Sequence, residues 1–312
     1  ALGTVRRKVS PDEYGDLVDV LRKYDIRYLF YIGGNDSMDT SQQIYVAAEQ
    51  QGYELYAIGV PKTIDNDLVM TDHCPGFGSA ARFVATAIRH SGRDTESMGE
   101  SGPIKLMEIM GRDAGWLAAS TALAKEVPGD PPHLIYLPER PVSIRRIVED
   151  VNACYAQYGY CVVALSEGVR DETGAQMGSS GGATKVDAFG HARKQGVVEY
   201  VAAAIGDSLK LTARFDKPGY LQRSFAELQS PVDRDEAYAV GREAVRVALR
   251  GENGKMVAFK RREGPKYAVD LVLVPLVKVA NKRREVPDEY INDAGNGVTE
   301  AFLDYARPLI GG

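Results

Sequence analysis

The chain has 312 residues, 44% of them hydrophobic and 26% charged, which describes a water-soluble globular protein with room for two α/β domains or one large one. A formal net charge of −5 argues against broad nucleic-acid binding, though it leaves room for a local basic pocket. Cys74, Cys154 and Cys161 form neither a CxxC pair nor a disulfide framework, so a reducing cytoplasm is expected.

Taken in order, residues 14–23 carry a helical period that leads into a continuous apolar and aromatic strand, Arg27–Ile32. Gly33-Gly34-Asn35-Asp36-Ser37 then turns into a helix whose period runs through Ile44, Ala47 and Ala48. Small residues such as Gly34 at a strand-to-helix turn let backbone N–H groups approach an anion, which the helix amino end favours. A second buried strand, Leu55–Val60, is stopped by Pro61, which has no N–H for a ladder. Lys62, Thr63, Asp65, Asn66 and Asp67 crowd in behind it, at a strand's carboxyl end, where ligands bind in open α/β sheets. On composition alone this stretch reads equally well as a solvated turn.

From Phe77 the pattern is helical through Ala81, Val84, Ala85 and Ile88, and Lys105–Met110 is another buried strand. Met110-Gly111-Arg112 caps that strand; Gly111 permits close backbone approach and Arg112 offers a planar fork for phosphate or sugar oxygens. A helix is expected over Ala114–Lys125, a strand over His133–Leu137, a helix over Ile144–Tyr158 and a strand over Cys161–Leu165, ending in Ser166-Glu167-Gly168. Arg170–Arg193 is rich in Gly, Ser and Ala; Gly178–Lys185 lacks the Walker spacing and follows no strand, so it reads as a mobile loop. Gly196–Leu209 is helical, Lys210–Phe215 extended, Asp233–Arg250 helical, Met256–Arg261 and Tyr267–Pro275 strands, and Val298–Ala306 a last helix. The apolar run Leu271–Ala280 is interrupted by Pro275 and Lys278 and is too short to span a bilayer, so no membrane partner is expected. The four histidines have no metal-ligand spacing. Alternating strands and helices, with strands apolar throughout, imply a doubly wound α/β architecture.

Five stretches, in order, resemble signatures of the phosphofructokinase family: Ile32-Gly33-Gly34-Asn35-Asp36-Ser37, Pro61-Lys62-Thr63-Ile64-Asp65-Asn66-Asp67, Met110-Gly111-Arg112, Ser166-Glu167-Gly168 and Pro218-Gly219-Tyr220-Leu221-Gln222-Arg223. The resemblance spans nearly the whole chain and implies two Rossmann-like domains with crossing connections. Residues 1–77 with 222–288 would take the phosphoryl donor and metal; residues 78–221 with 289–312 would take the sugar phosphate. Leu2-Gly3-Thr4-Val5-Arg6 resembles the turn after the family's first strand-loop-helix unit, so a preceding segment is expected, with Arg6 and Gly34 contacting the donor. The residue matching Asn35 is usually an aspartate that holds Mg²⁺; an amide carbonyl can ligate the ion without adding charge, so Asn35 is a candidate ligand only.

Asp36 and Lys62 resemble the branch that uses pyrophosphate in place of ATP. There the carboxylate fills the space of a nucleotide's α-phosphate and orders the lysine, whose ammonium neutralises charge on the transferring group. By the same resemblance Asp65 is the general base for a primary sugar hydroxyl, Thr63 bonds substrate, and Asp67 orients the site or helps hold metal. Met110, Gly111, Arg112, Glu167 and Arg223 would bind fructose 6-phosphate. Tyr220 stands where ATP-dependent members usually have histidine. Arg214 would reach across an interface into a neighbour's site, implying a homodimer or homotetramer. A further family arginine upstream of Met110 is missing, with Lys105 as the nearest substitute. The implied reaction is reversible phosphoryl transfer from pyrophosphate to the 1-hydroxyl of fructose 6-phosphate with Mg²⁺; the alternatives are an ATP-dependent phosphofructokinase and a catalytically silent regulatory subunit.

Overall fold

In the computed structural model, which describes residues 9–178, 185–186, 192–193 and 196–311, the short apolar runs become strands and the amphipathic stretches between them become helices. In chain order these are α1 (Tyr14–Lys23), β1 (Tyr28–Gly33), α2 (Asn35–Gln50), β2 (Tyr56–Pro61), α3 (Phe77–Met98), β3 (Ile104–Ile109), α4 (Trp116–Ser120), β4 (Leu134–Tyr136), α5 (Ile144–Tyr158) and β5 (Cys161–Ser166). A small antiparallel pair follows, β6 (Lys185–Val186) with β7 (Ala192–Arg193). The remainder is α6 (Val197–Leu209), β8 (Ala213–Asp216), α7 (Pro231–Leu249), β9 (Lys255–Arg261), β10 (Val269–Pro275), α8 (Leu276–Val279) and α9 (Glu300–Ala306).

Two four-stranded sheets result, one ordered β1-β2-β9-β10 and the other β4-β5-β3-β8. The second is parallel throughout; the first is parallel except for β10, which runs antiparallel to β9. The chain leaves the first sheet after β2, builds all of the second, and returns at β9. Helices cover both faces of each sheet, which is why the inner strands are apolar on both sides. In β5, Val162 and Ala164 pack toward α3 and α4, while Cys161, Val163 and Leu165 pack toward α5 and α6. In the first sheet, Met256 and Ala258 face α2 and α8, whereas Ile58, Val257 and Phe259 face α7. Gly59 is required where α2 and α8 press on β2: a Cβ there would stand 2.5 Å from Met38 Sδ and 2.8 Å from Leu276 Cδ2. Both atoms belong to a packed core, so a methyl group has nowhere to go.

Several boundaries differ from expectation, for local reasons. Pro61 is the last residue of β2, in register with Gly33, because a terminal position needs no further ladder donor from it. The helix expected from Ala114 begins at Trp116 and tightens into a 3-10 turn over Thr121–Ala124; the Gly115 N–H is held outside it by Glu139 Oε1 at 2.8 Å. The helix expected from Asp233 begins at Pro231, with Ser230 as its cap accepting the Asp233 N–H. Among the described residues, no helix is long and apolar enough to cross a membrane.

Candidate active site

The loops that follow β1, β2, β3, β5 and β8 all leave from carboxyl ends of strands. After β1, Gly34 caps α2 without a side-chain hydrogen bond, so the helix's first N–H groups point outward at Asn35 and Asp36. A Cβ on Gly34 would lie 3.8 Å from Thr63 Cβ, and the Lys62 N–H donates to the Gly33 carbonyl at 2.9 Å. The loop after β1 and the loop after β2 therefore lie side by side. Asp36 and Lys62 are both exposed.

The loop from Lys62 to Gly76 carries its carboxylates on a rigid frame. The Asp65 N–H donates to Thr63 Oγ1 at 3.1 Å. Asn66 is fully buried at φ 56, a left-handed conformation that asparagine tolerates, and it turns its side chain inward between Asp65 and Asp67. The Arg284 guanidinium donates to the carbonyls of Asn66 (2.9 Å), Thr71 (2.9 Å) and Asp72 (2.5 Å), and the Arg284 N–H donates to the Asp67 carbonyl at 2.8 Å. Neither Asn66 nor Arg284 was singled out from sequence. Asn66 carried a signal, as the uncharged centre of Asp-Asn-Asp; Arg284, distant along the chain and set in a charged run, carried none.

Across from this loop, the turn after β3 is built on backbone. Gly111 has φ 128, and the Ser166 hydroxyl donates to its carbonyl at 2.5 Å. The Gly111 N–H donates to Glu167 Oε1 at 3.3 Å, and Arg112 Nε lies 3.9 Å from the same oxygen. The Met110 N–H donates at 3.0 Å to Oε1 of buried Gln222. Gln222 thereby ties the turn after β8 to the turn after β3. Next to it, the Arg223 guanidinium lies 4.3 Å from the centre of the exposed Tyr220 ring.

Burial first, then the charge of Glu167, pushes the Asp65 carboxyl above the usual aspartate range; Arg112 and Lys62 pull the other way. Burial, then the Asp65 charge, pushes Asp67 up to about 6, against Arg283. Glu167 is also raised, chiefly by burial, although its hydrogen bond from Gly111 opposes the shift. Side chains from both sheets thus act on one carboxyl, that of Asp65. Asp65 and Asp67 are hard oxygen donors whose charges oppose one another, a set that suits a small divalent cation. The amide of Asn35 sits at a helix amino end, which favours anions over cations.

Other expected residues lie elsewhere. Arg6 is outside the described residues, as is most of Gly178–Lys185. Arg214 sits beside Lys105 in the β3–β8 register, about five residues or ~16 Å short of the turn at Met110. Its guanidinium is held by Asp94 Oδ2 at 2.9 Å and Thr95 Oγ1 at 3.3 Å. Lys105 is no substitute for the missing arginine: it is buried and paired with Asp216 at 2.7 Å. The expected pairing of Asp36 with Lys62 is not formed within 4 Å, in keeping with the small gain two exposed charges have from meeting. No metal-ligand spacing shows along the sequence, yet the fold brings His133, Cys154 and Cys161 together with ligand atoms within 4.8 Å. His133 Nδ1 is already taken by the Val162 N–H at 3.0 Å, and the Lys125 ammonium is close enough to feel Cys154, so a cation is opposed there.

Residues 1–248 match the family model described as Phosphofructokinase. Over the whole chain there is 43% identity to the pyrophosphate–fructose 6-phosphate 1-phosphotransferase of Halomonas elongata, of which 75% is covered. The protein so named from Xanthomonas campestris pv. campestris is 42% identical, again over the whole chain and 76% of its own length. The crystal structure of the pyrophosphate-dependent phosphofructokinase from Marinobacter aquaeolei superposes with a TM-score of 0.88 at 38% identity, covering 100% of this chain and 74% of that one.

Proposed function

The chain belongs to the phosphofructokinase family, and we infer from that membership and from the site that it transfers a phosphoryl group from pyrophosphate to the 1-hydroxyl of fructose 6-phosphate. The products are fructose 1,6-bisphosphate and orthophosphate. The observation that carries this reading is the convergence on Asp65 of Glu167 and Arg112 from one sheet and Lys62 from the other.

In this proposal Asp65 takes the proton from the sugar 1-hydroxyl as the phosphoryl group arrives. Its burial raises its basicity toward neutrality, the direction a general base requires. Lys62 and the amino end of α2, with Gly34 and Asp36, lie on the pyrophosphate side, and Lys62 stabilises charge on the transferring group. Thr63, Met110 and Gly111 border the sugar, Glu167 accepts from sugar hydroxyls, and Arg112 and Arg223 bind the 6-phosphate. Tyr220 holds Arg223 by its ring face. Arg214 is turned from its own chain's site by its register and by Asp94, so it serves a neighbouring subunit in a homodimer or homotetramer. Residues 1–77 with 222–288 form the donor side and 78–221 with 289–312 the sugar side. When bound, Mg²⁺ offsets phosphate charge; Asp67 would help hold it, with Asn35 at most an uncharged ligand, which leaves Asp65 to the proton. The setting is cytoplasmic.

The test is a donor comparison on the purified protein with fructose 6-phosphate and Mg²⁺. Turnover with pyrophosphate and little with ATP is expected, and Asp65→Ser should lower kcat by ~10²–10⁴-fold. Preference for ATP, or an Asp65→Ser variant near wild-type rate, overturns the reading.

A further inference from the structure

We propose that Arg284 is a positioning residue for phosphoryl transfer, setting the loop of Asp65 and Asp67 against the turn of Arg112. This rests on the reading of Asp65 as the base. The observation behind it is a short strap, residues 283–286, that grips both sides of the site. On one side the Arg284 fork donates to the carbonyls of Asn66, Thr71 and Asp72, and its own N–H donates to the carbonyl of Asp67. On the other side Arg283 Nη1 meets Asp113 Oδ2 at 2.8 Å, immediately after Arg112. The Val286 N–H donates to Glu139 Oε1 at 2.9 Å, the oxygen that also receives the Gly115 N–H. A small shift of the strap therefore moves the base relative to the arginine turn.

The side chain suits this role and no other residue type does. Three carbonyls spread around one head group need several donors in one plane, which guanidinium has and ammonium lacks. The plane is held 4.4 Å from the Trp116 ring, whose Nε1–H donates to the Arg284 carbonyl at 3.0 Å. Among the described residues Arg284 makes no ion pair within 4 Å; its head group meets carbonyl oxygens, the Tyr305 hydroxyl at 3.5 Å and the Trp116 ring face. A neutral amide would spare that desolvation if pinning the loop were the whole task. The fork is instead kept on the carbonyls of the loop that carries Asp65 and Asp67.

The experiment compares wild type, Arg284→Ala and Arg284→Lys in steady-state kinetics with both substrates, with thermal unfolding as a check on folding. Misplacement of the base by about 1 Å predicts a loss of kcat of about 10²-fold in Arg284→Ala. KM for each substrate should stay within roughly threefold, because a positioning residue acts through the loop it holds and not on either ligand. Lysine should not restore the rate, whereas millimolar guanidinium added to Arg284→Ala should raise kcat about tenfold and leave wild type unchanged. A folded Arg284→Ala with near-normal kcat, a loss carried by KM, or a kcat indifferent to guanidinium overturns the inference. Should the alanine variant not fold, Arg284→Lys decides: normal kcat overturns the inference, and reduced kcat at unchanged KM supports it. Wild type that shows no turnover with pyrophosphate removes the functional reading and this inference with it; an active wild type beside an unaffected variant removes this inference alone.

Discussion

The Asn66 side-chain amide donates to the Tyr305 hydroxyl at 2.8 Å, joining the loop after β2 to α9. Its carbonyl accepts the Cys74 N–H at 2.9 Å, and the Tyr305 hydroxyl passes its own hydrogen to the Asp72 carbonyl at 2.9 Å. The middle residue of Asp-Asn-Asp is thus an internal peg whose left-handed backbone leaves the flanking carboxylates to the site.

Asn66→Ala should therefore destabilise the protein by about 2–4 kcal/mol, through lost buried hydrogen bonds and the loss of asparagine's tolerance of positive φ. Asn66→Gly removes the backbone strain but not the lost bonds, and should recover less than half of that. Chemical denaturation of the three proteins measures both. Equal stability of Asn66→Ala and wild type would mean that the peg carries no weight.

Much of this site was legible in the sequence because strand ends and glycines mark it. The carboxyl ends of β1, β2, β3 and β5 were placed to within a residue or so, and Lys62, Arg112 and Glu167, from the turns after β2, β3 and β5, are close enough to act on the Asp65 carboxyl. What could not be read is whatever depends on distant partners. Arg284 is 218 residues from the Asn66 carbonyl it holds, and no periodicity or spacing links the two. The same holds for Gln222, whose contact with the Met110 N–H spans 112 residues inside a motif read for its arginine and tyrosine. The short helix at Leu276–Val279 follows directly on the strand expected to end at Pro275 and was not read at all, because a single buried apolar turn is too short to show a period.

His73 predicts a pH effect on stability. It is buried, with Nδ1 2.8 Å from Asp72 Oδ2, Nε2 2.7 Å from Glu236 Oε2, and its ring stacked on Phe259 at 4.5 Å. Burial alone would lower its pKa, but the hydrogen bonds and charges of Asp72 and Glu236 outweigh it and hold the value above the ordinary one. A raised histidine contributes stability in full below the unfolded pKa of about 6.5 and loses it as pH rises through the folded value. Unfolding followed from pH 6 to 9 should show that decline in wild type and not in His73→Gln. Parallel curves for the two would assign the pH effect to other groups.

Arg214 gives a test of assembly. It is held by Asp94 and set back along β8, and in the proposed reading it serves another subunit's site. Arg214→Ala should raise KM for fructose 6-phosphate with little change in that for pyrophosphate. Mixed oligomers of Arg214→Ala and Asp65→Ser subunits should regain part of the activity, since one class of site in the hybrid has both residues intact. Hybrids that form and stay inactive would show that each site is built within one chain.

In the proposed reading donor preference rests on Asp36 and Lys62, and their separation in the structure sharpens what should happen when each is changed. Asp36 stands in the first turn of α2, exposed, and the proposed reading places a nucleotide's α-phosphate against it. Its carboxylate opposes that phosphate by bulk and by charge, so Asp36→Gly should gain measurable ATP use. Because Asp36 and Lys62 form no ion pair within 4 Å, removing the carboxylate does not strip Lys62 of a partner, and pyrophosphate activity should fall only modestly. The helix loses a favourable negative charge at its amino end and gains a glycine, costing about 1–2 kcal/mol of stability, which thermal unfolding would register. Lys62→Gly removes the ammonium that stabilises the transferring group. That charge-assisted contact is worth ~1.5–3 kcal/mol, or about one to two decades in kcat with pyrophosphate. The double variant should prefer ATP. Values of kcat/KM for both donors on the four proteins decide the matter: a double variant that uses neither donor refutes this account of specificity, and an Asp36→Gly variant that loses pyrophosphate activity as completely as Lys62→Gly would show that the two side chains act as a pair once substrate is bound.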